Sequence, residues 1–416
     1  MSRLLDRVLS DDPLIRAMSY QSVLSAFGEG AFLTGSAVYF TQVVGLSAAQ
    51  VGLGMTLAGV ATFLASVPLG RAADTFGTRR TWIVGSLLEA LLFASWVLAR
   101  DFLAYVLVTT LLELAQTWMR AGRNAYRFTV FPREGRVRSM AYLRAARNVG
   151  YTLGALAGGL ALAAHHDRLV EAVPIATALI LLANTGWVAR LPKVAESGEH
   201  GSESALEELT GGTALRNRGF LAMSFLNGVL ATHQVLLNVV IPLWLVEETD
   251  APRVLLAWLF GTNTVLAVLL QVAAARGVDD VATSLRAERR GAACFVLSCA
   301  IVLVTHDTTG WITIALVWLG HVTVTGAELL QSAGEWGLQA ELSDPQRRGE
   351  YQGVANLGET LGTVWAPAAY TWLAMSWGAP GWVVIATIVV VAGVLITPAA
   401  HAAQRYLDAS PEPVAA

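Results

Sequence analysis

Six ionisable side chains stand inside otherwise apolar stretches of this chain: Glu29, Glu89, Glu113, His233, His321 and Glu359. A charge held at hydrocarbon depth costs about 2.5–3.5 kcal/mol on insertion scales, so such residues are given a partner or face a water-filled space. Carboxyl and imidazole groups placed there can take up and release protons. Their neighbours are polar too. Glu113, Gln116, Thr117 and Arg120 lie three, four and seven residues apart and share one helix face. His321, Thr325, Glu328, Ser332 and Glu335 repeat that arrangement, Asn227, Gln234 and Asn238 add neutral hydrogen-bonding groups, and Ser22, Ser25 and Ser36 accompany Glu29. A polar path walled by apolar residues accounts for all four groups. Hydrogen bonds that tie helices together are the competing account of each residue singly, and the main one for Glu89 and Glu359.

Other chemistry is poorly supplied. A membrane enzyme would need a nucleophile or metal cluster on its loops, and His165-His166 lack further ligands at suitable spacing. No metal, cofactor or catalytic residue is therefore expected. Trp82, Trp311, Trp377 and Trp382 fall at span ends, where aromatic belts belong, which leaves Trp318 and Trp365 as the deep tryptophans able to stack on a ligand. Cys294 and Cys299 sit in one apolar run and read as reduced, buried thiols.

The elements that position these residues follow from composition. Hydrophobic residues make up 55% of the chain and charged ones 14%, against about 25% charged in soluble domains. A net charge of -3 without a basic stripe argues against a nucleic-acid partner. Spanning helices need roughly 20 mostly apolar residues, and twelve such runs are visible: 19–44, 49–69, 81–99, 102–121, 141–164 and 172–189, then 220–246, 254–275, 291–305, 311–330, 351–375 and 381–398. The expected fold is all-α and membrane-embedded, with twelve transmembrane helices in two pseudo-symmetric six-helix bundles. Placing the N-terminus in the cytoplasm puts 25 of the 28 Lys and Arg residues on the inner side, and only Arg100, Arg168 and Arg253 outside. Residues 1–18 form a cytoplasmic segment in which 2–16 read as a short amphipathic surface helix. Residues 19–190 and 220–400 are the two bundles, the acidic, Gly/Ser-rich stretch 191–219 is a cytoplasmic linker, and 401–416 is a cytoplasmic tail.

The bundles repeat one another. Asn148-Val-Gly-Tyr-Thr-Leu-Gly154 matches Asn356-Leu-Gly-Glu-Thr-Leu-Gly362 at five of seven positions, an offset of 356 minus 148, or 208 residues. The same shift superposes the spans on either side. Glycines at 150, 154 and 158, and at 358 and 362, recur every fourth residue and line one helix face, which suits close helix approach.

Gly70-Arg-Ala-Ala-Asp74-Thr-Phe-Gly77-Thr-Arg79-Arg80, between the second and third spans, resembles the loop motif of the major facilitator superfamily. The resemblance covers about residues 19–400 and implies a transporter whose Asp74 helps latch the two halves on the cytoplasmic side. Gly70 and Gly77 permit the turn, and Arg79 and Arg80 anchor the inner surface. The second-half counterpart, Arg276-Gly-Val-Asp279-Asp280 through Arg289-Arg290, is degenerate. Gly150, Gly154, Gly158 and Gly159 look like the family's antiporter signature, with Ala155 where proline is usual. Arg120 and Arg123 are similar to an arginine that many proton-coupled members carry.

In that family the first, fourth, seventh and tenth helices line the central cavity. The resemblance therefore promotes Glu29, Glu113, His321, Gln234 and Asn238 as coupling or substrate residues. The 208-residue shift pairs Glu113 with His321 and Arg120 with Glu328, and Arg120 with Glu328 is expected to gate the cavity from the cytoplasmic side. The leading expectation is a monomeric secondary transporter of the plasma (inner) membrane that exports a small organic molecule, a drug or secondary metabolite, in exchange for protons. Proton-coupled nutrient import, a transport-dead sensor and a polytopic enzyme are the alternatives, in that order.

Overall fold

The computed structural model describes residues 9–163, 167–193 and 214–409. Among them there is no strand, and twelve long helices account for most of the described residues. These are α1 (Pro13–Val38), α2 (Ala48–Phe76), α3 (Thr78–Ser95), α4 (Phe102–Val130), α5 (Arg136–Ala163) and α6 (Asp167–Val188). The second set is α7 (Arg218–Glu247), α8 (Leu255–Ala274), α9 (Val281–Leu303), α10 (Trp311–Glu341), α11 (Arg348–Trp377) and α12 (Ala379–Asp408). Seven of the twelve are long and apolar enough to cross a membrane on composition alone. Several others dilute their apolar character with charge: α5 carries Arg144 and Arg147, and α9 carries Arg286, Glu288, Arg289 and Arg290.

The described parts of Met1–Pro132, Tyr142–Thr210 and Pro345–Gly353 form one compact unit; those of Arg133–Ala141, Gly211–Asp344 and Val354–Ala416 form the other. The first turns of α5 and α11 thus belong to a different unit from the rest of each helix.

Helix ends depart from the apolar runs where capping and polar faces extend them. The chain at 9–12 is not helical, so the surface helix expected over 2–16 is corrected there: Asp12 accepts from the Leu14 (2.7 Å) and Ile15 (3.1 Å) N–H groups, and Pro13 opens α1. Residues 2–8, residues 194–213 of the linker expected over 191–219, and His165 and His166 lie outside the described residues. α9 starts ten residues before the expected 291, because Asp280 and Thr283 form a capping box and the charged turn behind it folds. The Thr283 hydroxyl also holds the Asp280 carboxyl below its usual range. α4 and α10 run about two to three turns past their apolar runs. Arg120, Arg123 and Arg127 of α4 and Arg136, Arg138, Arg144 and Arg147 of α5, which the positive-charge tally treats as loop residues, are therefore helical.

Glycine governs the closest packing. A Cβ at Gly150, Gly154 or Gly158 of α5 would strike the backbone of Val23, Phe27 or Ala31 of α1, and one on Gly30 would strike Tyr151. The repeat reproduces this in the second unit, where Gly358 and Gly362 of α11 meet Ser224 and Gly228 of α7. Gly159 has open space beside it and takes no part.

Candidate functional site

The loop from α2 to α3 shows its chemistry directly. Gly77 holds φ at 92°, which turns the chain from α2 into α3. Asp74 Oδ1 accepts the Gly349 N–H at 2.6 Å and Oδ2 the Glu350 N–H at 2.8 Å. Those N–H groups open α11 and have no intrahelical partner, so a carboxylate there satisfies two donors and the positive end of the helix together. Arg71 pairs with Glu350 at 2.9 Å, and a Cβ on Gly70 would collide with the Gly349 carbonyl. Arg79 does not point away as a bare anchor. It donates to the Ala189 (2.6 Å) and Leu191 (3.1 Å) carbonyls at the end of α6, while Arg80 stays exposed.

The loop from α8 to α9 performs the corresponding task with a different residue pattern. Asp279 Oδ1 accepts the Gly135 N–H at 3.3 Å, at the entry to α5. Glu341, the last residue of α10, pairs with Arg133 (Nε to Oε1 3.2 Å) and lies 3.8 Å from Arg136. Arg133 and Glu341 are 208 residues apart, equivalent positions of the repeat. The sequence motif is degenerate here, yet an acidic side chain still holds the start of a repeat-equivalent helix.

Unit 1 contains a charged network on α1, α3, α4 and α5. Arg147 Nη2 reaches Glu29 Oε2 at 2.7 Å, and the Ser25 hydroxyl donates to Glu29 Oε1 at 3.0 Å. Nearby, Gln116 donates to buried Glu89 at 2.8 Å. Arg120 donates to Thr117 at 3.0 Å and lies 3.8 Å from Glu113, a loose pair with both side chains about 40% exposed. Arg127 stacks 5.6 Å over the Trp82 ring. Of the acids singled out from sequence, Glu29 has the firm ion pair, and Arg147 as its partner was not anticipated. Its sequence signal was available: Arg147 sits one turn before Gly150, on a helix whose glycines demand close approach to α1.

Unit 2 holds a second network on α7, α8 and α10. Glu328 accepts from Gln234 (3.3 Å) and from Asn263 (2.9 Å), and Asn263 also donates to Thr325 at 3.2 Å. Asn238 donates to the Gln234 carbonyl at 2.9 Å. α7 is loosened here: a turn at 231–232 precedes His233–Val235, and Leu236–Val240 is a π-turn. Pro242 has no N–H for the Asn238 carbonyl, and the Ile241 N–H bonds Leu236 O instead. His233 Nδ1 lies 3.1 Å from Leu230 O. His321 is buried beside the Leu259 carbonyl with neither ring nitrogen in a well-formed hydrogen bond. Glu288 of α9, also unanticipated, buries both carboxyl oxygens without a partner.

Trp318 lies in an apolar groove with Trp258, is 44% exposed and donates to Thr262 at 3.0 Å. Trp365 packs edge-on against Tyr370. Cys294 and Cys299 are free thiols. Among the described residues no three metal-ligating side chains come together.

A family model described as the Major Facilitator Superfamily matches residues 19–333. Among curated proteins, none matches the chain significantly. Solved structures do. A bacterial homologue of the iron transporter ferroportin in an outward-facing state superposes with a TM-score of 0.70 at 14% identity, covering 94% of this chain and 100% of that one. The human organic anion transporter MFSD10 (TETRAN) gives 0.66 at 15%, covering 93% and 100%. The proton:xylose symporter XylE gives 0.66 at 12%, covering 99% and 97%. At these identities the likeness concerns the fold.

Proposed function

Because the chain belongs to the Major Facilitator Superfamily and is a secondary transporter of the membrane, we propose that it exports a small organic molecule in exchange for protons. It would act as a monomer of the plasma membrane with both termini cytoplasmic. The observation that carries the coupling is the Glu29–Arg147 pair at 2.7 Å, with Glu29 17% exposed. Protonating a carboxylate held by one arginine and one serine removes the charge that attracts the arginine and so weakens the pair, which links proton binding to a change of contact between α1 and α5. Glu113 and His321 are further candidates for the proton, Gln234 and Asn238 for substrate contact, and Arg120 and Glu328 for the cytoplasmic gate. As a gate, Arg120 would leave Thr117 and Glu328 would leave Asn263. The glycine face of α5 favours export; the proton coupling named for XylE supports the ion and leaves import as the second reading.

Everted vesicles made acid inside should accumulate a labelled small organic compound when they carry the wild-type protein and not when they carry Glu29→Gln. Accumulation that survives collapse of the pH gradient sinks the coupling. Accumulation confined to right-side-out vesicles reverses the direction.

A further inference from the structure

Glu113, Gln116, Arg120, Arg123 and Arg127 follow one another on α4 at steps of three and four and form one polar stripe. Four of these five side chains are accounted for within unit 1. Glu113 and Arg120 face each other loosely, Gln116 serves Glu89, and Arg127 stacks on Trp82 near the helix end, where its charge also suits the dipole. Arg123 is different. Arg123 and Arg127 both bury Nε without an acceptor and, among the described residues, their side chains make no hydrogen bond or ion pair, but Arg127 has the Trp82 ring beneath it and the helix end beside it, and Arg123 has neither. It is seven residues from the end of α4, about 10.5 Å along the axis, too far to serve the helix dipole.

The charges acting on Arg123 are Arg147 and Arg120, which repel it, and Glu29 and Glu89, which attract it. Both acids are already engaged, Glu29 by Arg147 and Glu89 by Gln116. Three cations therefore face two anions. Adding Arg127 and Glu113 leaves the same excess of one. A half-buried guanidinium without a counter-ion is costly, and in a membrane protein such a charge marks a place where something else supplies the missing partner.

We propose that Arg123 binds the anionic group of the transported substrate, and that the substrate is a small organic monocarboxylate. This rests on the reading of the chain as a secondary transporter of a small organic molecule. With Nε sealed, the two terminal nitrogens remain as donors, and a planar fork of this kind matches a carboxylate in bidentate fashion. One uncompensated charge calls for a monoanion; a phosphate monoester, carrying about -1.5 to -2, would overshoot it. An anionic lipid headgroup offers the same chemistry from another source, and the test separates the two.

The full-length protein is reconstituted in nanodiscs of phosphatidylcholine alone, and melting is followed with benzoate, phenylacetate and naphthalene-2-carboxylate, each beside its neutral amide. The expected result is stabilisation of the wild type by at least one carboxylate and not by its amide. Arg123→Gln should weaken that carboxylate at least about tenfold, the loss of one charge-assisted pair. Arg123→Lys, which keeps the charge and loses the fork, should fall between and serves where the glutamine variant does not fold. The proposal is overturned if none of the three carboxylates binds, if amides bind equally, or if Arg123→Gln and Arg123→Lys both bind as the wild type does. It is also overturned if Arg123-dependent stabilisation appears only with phosphatidylglycerol, which would make this a lipid site. Carboxylate binding without pH-driven flux would remove the proton coupling and leave this site intact; pH-driven flux of neutral compounds alone would do the reverse.

Discussion

Arg147 of α5 places Nη2 2.7 Å from Glu29 Oε2 of α1, at the level where Gly30 and Gly150 bring the two helices into backbone contact. The pair is held by the packing as much as by the charges. Breaking it should have two readouts that differ in kind.

Glu29→Gln leaves Arg147 without its counter-ion. With Arg147 42% exposed, solvent screening limits the stability loss to about 1–2 kcal/mol, below the 3–5 of a fully buried pair. Thermal unfolding should show a modest drop, and pH-gradient-driven flux should disappear while energy-independent exchange of substrate persists. Flux at the wild-type rate would remove Glu29 from coupling.

Gly154→Val should destabilise by about 1–3 kcal/mol or more, because the added carbons must displace the Phe27 and Ala31 backbone rather than a movable side chain. Gly159→Ala, with nothing within reach of the new methyl, should leave melting and transport unchanged. Equal effects of the two substitutions would refute the α1–α5 contact.

Asp74→Asn keeps the outline of the cap at α11 but loses its charge and one of its two accepting oxygens, weakening it by about 1–2 kcal/mol. Turnover should slow while equilibrium substrate binding holds, the outcome expected of a contact that acts in conformational exchange rather than on substrate. Parallel loss of binding and turnover would give this loop another role.

Asp279→Asn should repeat the Asp74→Asn phenotype more weakly, because its single contact to Gly135 is longer, at 3.3 Å. Wild-type turnover in this variant would mean that only the first of the two loops is functional.

A cysteine at Arg253 should react with an impermeant thiol reagent from outside the cell, and one at Arg290 should not. Arg290 is exposed in unit 2, so absence of labelling there would report sidedness rather than burial. The opposite pattern would invert the topology.

Much of the architecture was legible from one sequence because membrane helices announce themselves locally. Length and hydropathy mark each span, and the 208-residue repeat reappears in α4 and α10, whose starts at Phe102 and Trp311 agree within one residue of that shift. The glycine pattern of α5 predicted its close contact face, since close approach depends on side-chain size alone. Asp74 was identified through a motif whose spacing survives, whereas Asp279 was passed over because a contact can be kept after its spacing is lost.

What the sequence could not decide is which charges meet. Arg123 looked like a cytoplasmic loop charge because the apolar run of α4 ends at residue 121 although the helix does not, and Arg147 was counted with the inner charges although it lies inside the run 141–164. Whether Glu29 finds Arg147, Gln116 finds Glu89 and Arg123 finds nothing depends on how α1, α3, α4 and α5 cross and on their relative rotation. Those are set by packing along whole helices, so only the folded unit shows which arginine is left over.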